Sequence, residues 1–118
     1  MIEPVPAGIP MTCCPEPLTA AEAVDLASAF KALADPVRLR IASIVACCPA
    51  GEVCMGEIAA EFSVSGPTIS HHLKKLREAG VLTSERRASE VYYQVRSDRL
   101  DSLIGQLTVM KSPAGQSC

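Results

Sequence analysis

Residues 65–82 read SGPTISHHLKKLREAGVL. Ser65, Gly66 and Pro67 are turn formers closing the turn Ser63–Pro67, and from about Thr68 to Ala79 the apolar residues recur at helical spacing until Gly80 stops the run. With Ile69 at the centre of one face, Leu73 and Leu76 fall within about 40° of it, so these three anchor the helix to a core. His71, Lys74, Lys75 and Glu78 lie on the far side, flanked by Thr68 and Ser70. His72 falls about 60° from the apolar centre, which suits a packing or capping residue rather than an outward contact.

Upstream, a short helix carrying Met55, Ile58, Ala59 and Phe62 precedes the turn. Downstream, from Val81 to Val95, the period changes to two: Val91, Tyr93 and Val95 alternate with polar neighbours, and the polar stretch Arg86–Glu90 reads as a hairpin tip. Two short helices around a tight turn, the second basic and followed by a hairpin, describe a winged helix-turn-helix: mostly α, with a β-hairpin wing. In a major groove, hydroxyls, imidazole and lysine can bond base edges or phosphates, so Ser65, Thr68, Ser70, His71, Lys74 and Lys75 are the candidate DNA-reading residues. Arg86 and Arg87 at the tip would add salt-dependent affinity on the backbone or in the adjacent minor groove.

Further out, Thr19-Ala-Ala-Glu22 is a capping box opening a helix to about Leu33, with Ala23, Leu26, Ala27, Phe30 and Leu33 on one face. Asp35-Pro36 opens the next helix, whose stripe is Val37, Ile41, Ile44, Val45 and Cys48, and Pro49 and Gly51 end it. A last helix from about Asp98 places Leu100, Leu103, Ile104, Leu107 and Met110 on one face. Residues 1–18 hold five of the nine prolines and read as a flexible arm, residues 19–111 as one folded domain, and 112–118 as a loose tail.

Length and charge agree with this division. The 118 residues suit one domain, and 48% apolar content with only 3% aromatic residues suits packed helices. The net charge of −2 hides an asymmetry: residues 1–64 carry 3 basic and 8 acidic side chains, residues 65–99 carry 7 and 4. Phosphate binding needs such a local positive surface, not a basic whole. No run of 18 apolar residues exists and the first twenty residues lack Lys and Arg, so no membrane span or secretory signal is expected and the cytoplasm is the expected compartment. Its reducing conditions leave the six cysteines available as ligands.

The segments Phe30-Lys-Ala-Leu-Ala-Asp-Pro-Val-Arg-Leu-Arg-Ile41 and 65–82 closely resemble the ArsR/SmtB family of metal-sensing bacterial repressors, over roughly residues 20–107. The resemblance implies a homodimer on double-stranded operator DNA, four helices then a hairpin and a fifth helix, pairing through the first and last helices, and release of DNA on binding an effector. Two positions depart from it: Gly66 stands where many relatives carry Gln, and the hairpin tip lacks the usual Gly.

Effector sites differ within the family. A zinc-type site on the last helix needs His and carboxylates, but that helix offers Asp101 and no His. Thiolates prefer soft, thiophilic ions. The segment Glu52-Val-Cys-Met-Gly-Glu-Ile58 resembles the Glu-Leu-Cys-Val-Cys-Asp-Leu box of arsenic-responsive members: Cys54 matches its first cysteine and Gly56 replaces the second. Cys13 and Cys14 on the arm would complete a three-sulfur site for As(III) or Sb(III), as in arsenical repressors with an N-terminal cysteine pair. Cys47, off the apolar stripe, is an alternate ligand, whereas Cys48 reads as core. Within the same fold, Cys13, Cys14, Cys47 and Cys48 could instead form a redox switch. In a different class, the chain could be a metalloid-sequestering thiol protein without DNA, which would leave the hydroxyl- and lysine-lined helix unexplained. An enzyme is not expected: there is no Cys-x-x-Cys motif and no phosphate-cradling glycine loop, and the only histidines lie in the reading helix.

Overall fold

The computed structural model describes residues 17–111; the cysteine pair Cys13-Cys14, most of the proline-rich arm and the tail from residue 112 lie outside the described residues. Helix α1 (Ala20–Leu33) opens on the expected capping box, in which the Thr19 hydroxyl accepts from the Glu22 N–H at 3.1 Å and Glu22 Oε1 accepts from the Thr19 N–H at 2.9 Å. Helix α2 (Pro36–Cys47) is capped by Asp35, whose Oδ2 accepts from the N–H groups of Val37 (2.9 Å) and Arg38 (3.1 Å). Strand β1 (Val53–Cys54) leads into the short helix α3 (Met55–Ala59), and helix α4 (Gly66–Glu78) follows the turn. Strands β2 (Leu82–Arg87) and β3 (Glu90–Val95) form the wing, and α5 (Ser97–Lys111) closes the domain.

Several elements differ from the sequence reading. α4 begins at Gly66, two residues before Thr68, because proline in a first helical turn forfeits no hydrogen bond, so the end of the expected turn is already helix. The wing strands run through Arg87 and resume at Glu90, leaving Ala88-Ser89 as the turn and pairing Arg86 with Val91 and Arg87 with Glu90. Ala88 takes φ 55°, doing at the tip what glycine does more easily. β1 was not expected; it pairs antiparallel with β3, Val53 opposite Tyr93 and Cys54 opposite Tyr92, making a sheet ordered β1-β3-β2. Two residues are too few for a periodicity to show.

The core lies between the helices and one sheet face: Ala29, Ile41, Val45, Ile58, Ile69, Leu73, Leu76, Val81, Leu82 and Tyr93 are buried. On α1 the inward residues are Ala29 and Ala32 with half-buried Leu26, Phe30 and Leu33, while the expected Ala23 and Ala27 are exposed. Cys48 caps α2 and packs half-buried against the core, in line with its reading as a core residue. On α5 only Leu103 is fully buried; Ile104, Leu107 and Met110 are exposed, as is Val24 on α1. Nothing among the described residues covers that apolar face.

Candidate nucleic-acid interface

Ser65 starts the reading helix: its Oγ accepts from the Thr68 N–H at 3.3 Å and lies 2.8 Å from Thr68 Oγ1. Ile69, Leu73 and Leu76 are fully buried on one side of α4, which turns Thr68, Ser70, His71, Lys74 and Lys75 outward, all exposed. This is the separation expected from the sequence. Ser65 and Thr68 are partly occupied with capping, and Ser70 Oγ contacts Met55 Sδ at 3.8 Å, linking the outward face of α4 to the start of α3. Lys74 and Lys75 have no acidic partner among the described residues.

Three arginines that the sequence did not single out fix α3 and α4 in place. Arg38 donates from Nε to the Ala32 carbonyl at 2.6 Å, and its Nη1 lies 3.2 Å from Nδ1 of half-buried His72. A guanidinium only donates, so His72 accepts on Nδ1 and carries its hydrogen on Nε2. Asp35 Oδ2 stands 3.9 Å from the same ring. The Asp35 carboxyl is held below the ordinary carboxylate range, chiefly by the hydrogen bond from the Arg38 backbone, with the Arg38 charge adding to it. His72 is thus a packing residue, joining α4 to the start of α2.

At the other end, α4 finishes in a Schellman turn: the Val81 N–H reaches the Leu76 carbonyl (3.0 Å), the Gly80 N–H reaches that of Arg77 (3.0 Å), and Gly80 adopts φ +79°. Arg99 of α5 donates through Nε to the Ala79 carbonyl (3.2 Å) and through Nη1 to Asp25 of α1 (2.7 Å), tying the end of α4 to both outer helices. Arg40 stacks over Phe62 (4.9 Å to the ring centroid) and donates to the Glu61 carbonyl, holding the α3 end against α2. No sequence spacing marks these contacts, whose partners lie as much as 74 positions away.

On the wing the two tip arginines part company. Arg86 is exposed and has no acidic partner among the described residues. Arg87 donates to both carboxylate oxygens of Glu52, at 2.8 Å for the Nη2–Oε1 contact, and to Glu85 at 2.7 Å, with its guanidinium 4.7 Å above the Tyr92 ring. Those bonds raise the Arg87 pKa, the one from Glu52 most, and the reciprocal bond holds the Glu52 carboxyl below its ordinary range.

Of the expected thiol ligands, Cys54 is half-buried at the start of α3, its N–H donating to Glu57 Oε1 at 3.2 Å. Cys47 is exposed at the end of α2. Among the described residues no three His, Cys, Asp or Glu side chains are grouped to hold a metal, and Cys13 and Cys14 are not among those residues.

A helix anchored in the core on one side and presenting a basic, hydroxyl-lined face on the other, beside a two-stranded wing, defines a winged helix-turn-helix transcription regulator, not an enzyme. The chain belongs to the ArsR family: the profile described as bacterial regulatory protein, arsR family, matches residues 35–84. Similar proteins include the biofilm growth-associated repressor of Agrobacterium fabrum, 35% identical over 91% of this chain and 91% of that one. The arsenical resistance operon repressor of Staphylococcus xylosus is 31% identical over 80% of this chain and 86% of its own. Among solved structures, a homodimeric winged helix-turn-helix DNA-binding domain from Mycobacterium bovis superposes with a TM-score of 0.62 at 29% identity, over 75% of this chain and 82% of that one.

Proposed function

We propose that this protein is a cytoplasmic, homodimeric repressor that binds operator DNA and releases it when As(III) or Sb(III) is captured by Cys13, Cys14 and Cys54. The outward face of α4 carries the DNA-binding part: Thr68, Ser70, His71, Lys74 and Lys75 stand exposed on a helix whose opposite side is wholly buried. They would enter the major groove with Ser65 at the leading end, and Arg86 would meet the flanking backbone. The exposed apolar residues Val24, Ile104, Leu107 and Met110 support pairing of two subunits through α1 and α5. Among the described residues no helix is long and apolar enough to cross a membrane.

For the effector, the supporting observation is the placing of Cys54. It follows Glu52, which holds the wing through Arg87, and precedes Met55, which touches Ser70 of the reading helix. A ligand drawing Cys54 towards the arm of either subunit therefore pulls on both DNA-facing elements, and couplings between sites are typically about 1–3 kcal/mol. The arsenical resistance repressors among the relatives agree with a metalloid effector. Thiolate sulfur suits As(III) and Sb(III), and three such donors would hold either ion in a pyramidal site.

The test is DNA affinity of the reduced protein against rising arsenite at fixed salt, for wild type, Cys13→Ser/Cys14→Ser and Cys54→Ser. Release from wild type alone supports the three-thiol switch; release from all three refutes that site. A second reading, release by oxidation, is favoured by the adjacent Cys47 and Cys48 at the end of α2, the first exposed. Under it, peroxide and not arsenite would release the DNA.

A further inference from the structure

The two arginines of the wing differ in what already surrounds them. Side chains alternate between the faces of a strand, so Glu52 and Cys54 share one face of the sheet with Gln94 and Tyr92 of β3 and with Thr83, Glu85 and Arg87 of β2. The other face carries the buried Val53, Tyr93 and Leu82. Across the outer face the polar groups are joined: Arg87 bridges Glu52 and Glu85, Gln94 Nε2 donates to Glu52 Oε1 at 3.2 Å, and the Tyr92 ring lies beneath the guanidinium. The Glu52 side chain is only 22% exposed, which limits the screening of its bidentate pair with Arg87.

A phosphate approaching Arg87 would meet one cation flanked by two carboxylates, a local charge of the wrong sign, and would have to replace bonds already made. A phosphate approaching Arg86 meets an exposed guanidinium with no acidic neighbour among the described residues.

We propose that Glu52 and Arg87 form a latch that fixes the wing hairpin to the β1–α3 segment, making Arg87 a positioning residue for DNA binding while Arg86 is the wing's phosphate contact. The proposal rests on the DNA-binding reading above. The latch crosses the sheet from the loop before β1 to the far end of β2, where Ala88-Ser89 turns the chain. Without it the tip is joined to the domain only through the β2–β3 ladder.

Two measurements test this on the full-length protein. The first uses a duplex selected by the wild-type dimer from a random pool, with affinity followed from 50 to 200 mM KCl for Arg86→Gln, Arg87→Gln, Glu52→Gln and the double variant Glu52→Gln/Arg87→Gln. Removing a phosphate contact from both subunits should flatten the slope of log K against log[salt] by about 2, and this is expected for Arg86→Gln alone. Arg87→Gln and Glu52→Gln should each weaken binding about fivefold with the slope unchanged, and the double variant should be no weaker than either. If Arg87 were a phosphate contact, Arg87→Gln would flatten the slope as Arg86→Gln does and Glu52→Gln would tighten binding; either result overturns the proposal.

The second is hydrogen exchange in DNA-free protein, where the amides of residues 85–91 should exchange faster in Glu52→Gln and Arg87→Gln than in wild type. Unchanged protection overturns the latch. If the wild type selects no duplex, the DNA-binding reading fails, and exchange still decides whether the latch holds the wing.

Discussion

The salt dependence of DNA binding follows from which cations the fold leaves free. Lys74, Lys75 and Arg86 are exposed with no acidic partner among the described residues, whereas Arg38, Arg40, Arg87, Arg96 and Arg99 are committed to internal partners. Lys31, Arg77 and Lys111 are likewise exposed with no acidic partner among the described residues, but they lie away from the outward face of α4 and the wing. On the DNA-facing surface the two subunits of the proposed dimer therefore offer six phosphate-seeking charges, and at about 0.9 counterions released per phosphate the slope of log K against log[salt] should be about −5. Between 50 and 200 mM KCl, affinity should then fall by about three orders of magnitude. Fluorescence anisotropy on a labelled duplex measures it directly. Placing aspartate in the exposed apolar face, as in Leu107→Asp, should separate the subunits in sedimentation and reduce the slope to about −3, the share of one subunit. A slope near about −9 in the wild type would mean that the paired arginines also reach phosphates, and one near zero that the α4 lysines do not face DNA; either would refute the reasoning.

Leu73→Ala, at a position with no exposure, should cost about 2–5 kcal/mol of stability in denaturant titration, since it opens a cavity where α4 meets the core. Gly80→Ala should cost about 1 kcal/mol, because alanine resists φ +79° and its Cβ would stand 3.4 Å from Arg99 Nε; an unchanged melting temperature would contradict this. The carboxyls of Asp25, Asp35, Glu52 and Asp98 are all held below their ordinary range, so they favour the folded state at neutral pH and lose that effect as pH falls through their lowered values. Stability should be level near neutrality and decline below about pH 4, less steeply in Asp35→Asn, which keeps a capping oxygen but not the charge. A superimposable acid limb in that variant would show that Asp35 takes no part.

Much of this was legible in local sequence because it depends on local forces. The Thr19-Glu22 box and the Asp35-Pro36 start satisfy helix ends with residues three or fewer positions away, and both were found as read. The burial of Ile69, Leu73 and Leu76 against the exposure of His71, Lys74 and Lys75 follows from the helical period alone. β1 was not legible, since a two-residue strand exists only because Tyr92 and Tyr93 lie beside it. Nor was the exposure of Ile104, Leu107 and Met110: their periodicity is the same whether the covering surface belongs to this subunit or another.

The sharpest contrast is at Arg86 and Arg87, adjacent and chemically identical. Composition and spacing establish that the hairpin end carries two cations, because charge and period are properties of neighbouring residues. Only the tertiary structure decides that one stays free while the other is held by Glu52, because the pairing spans 35 positions and depends on how β1, β3 and β2 lie side by side.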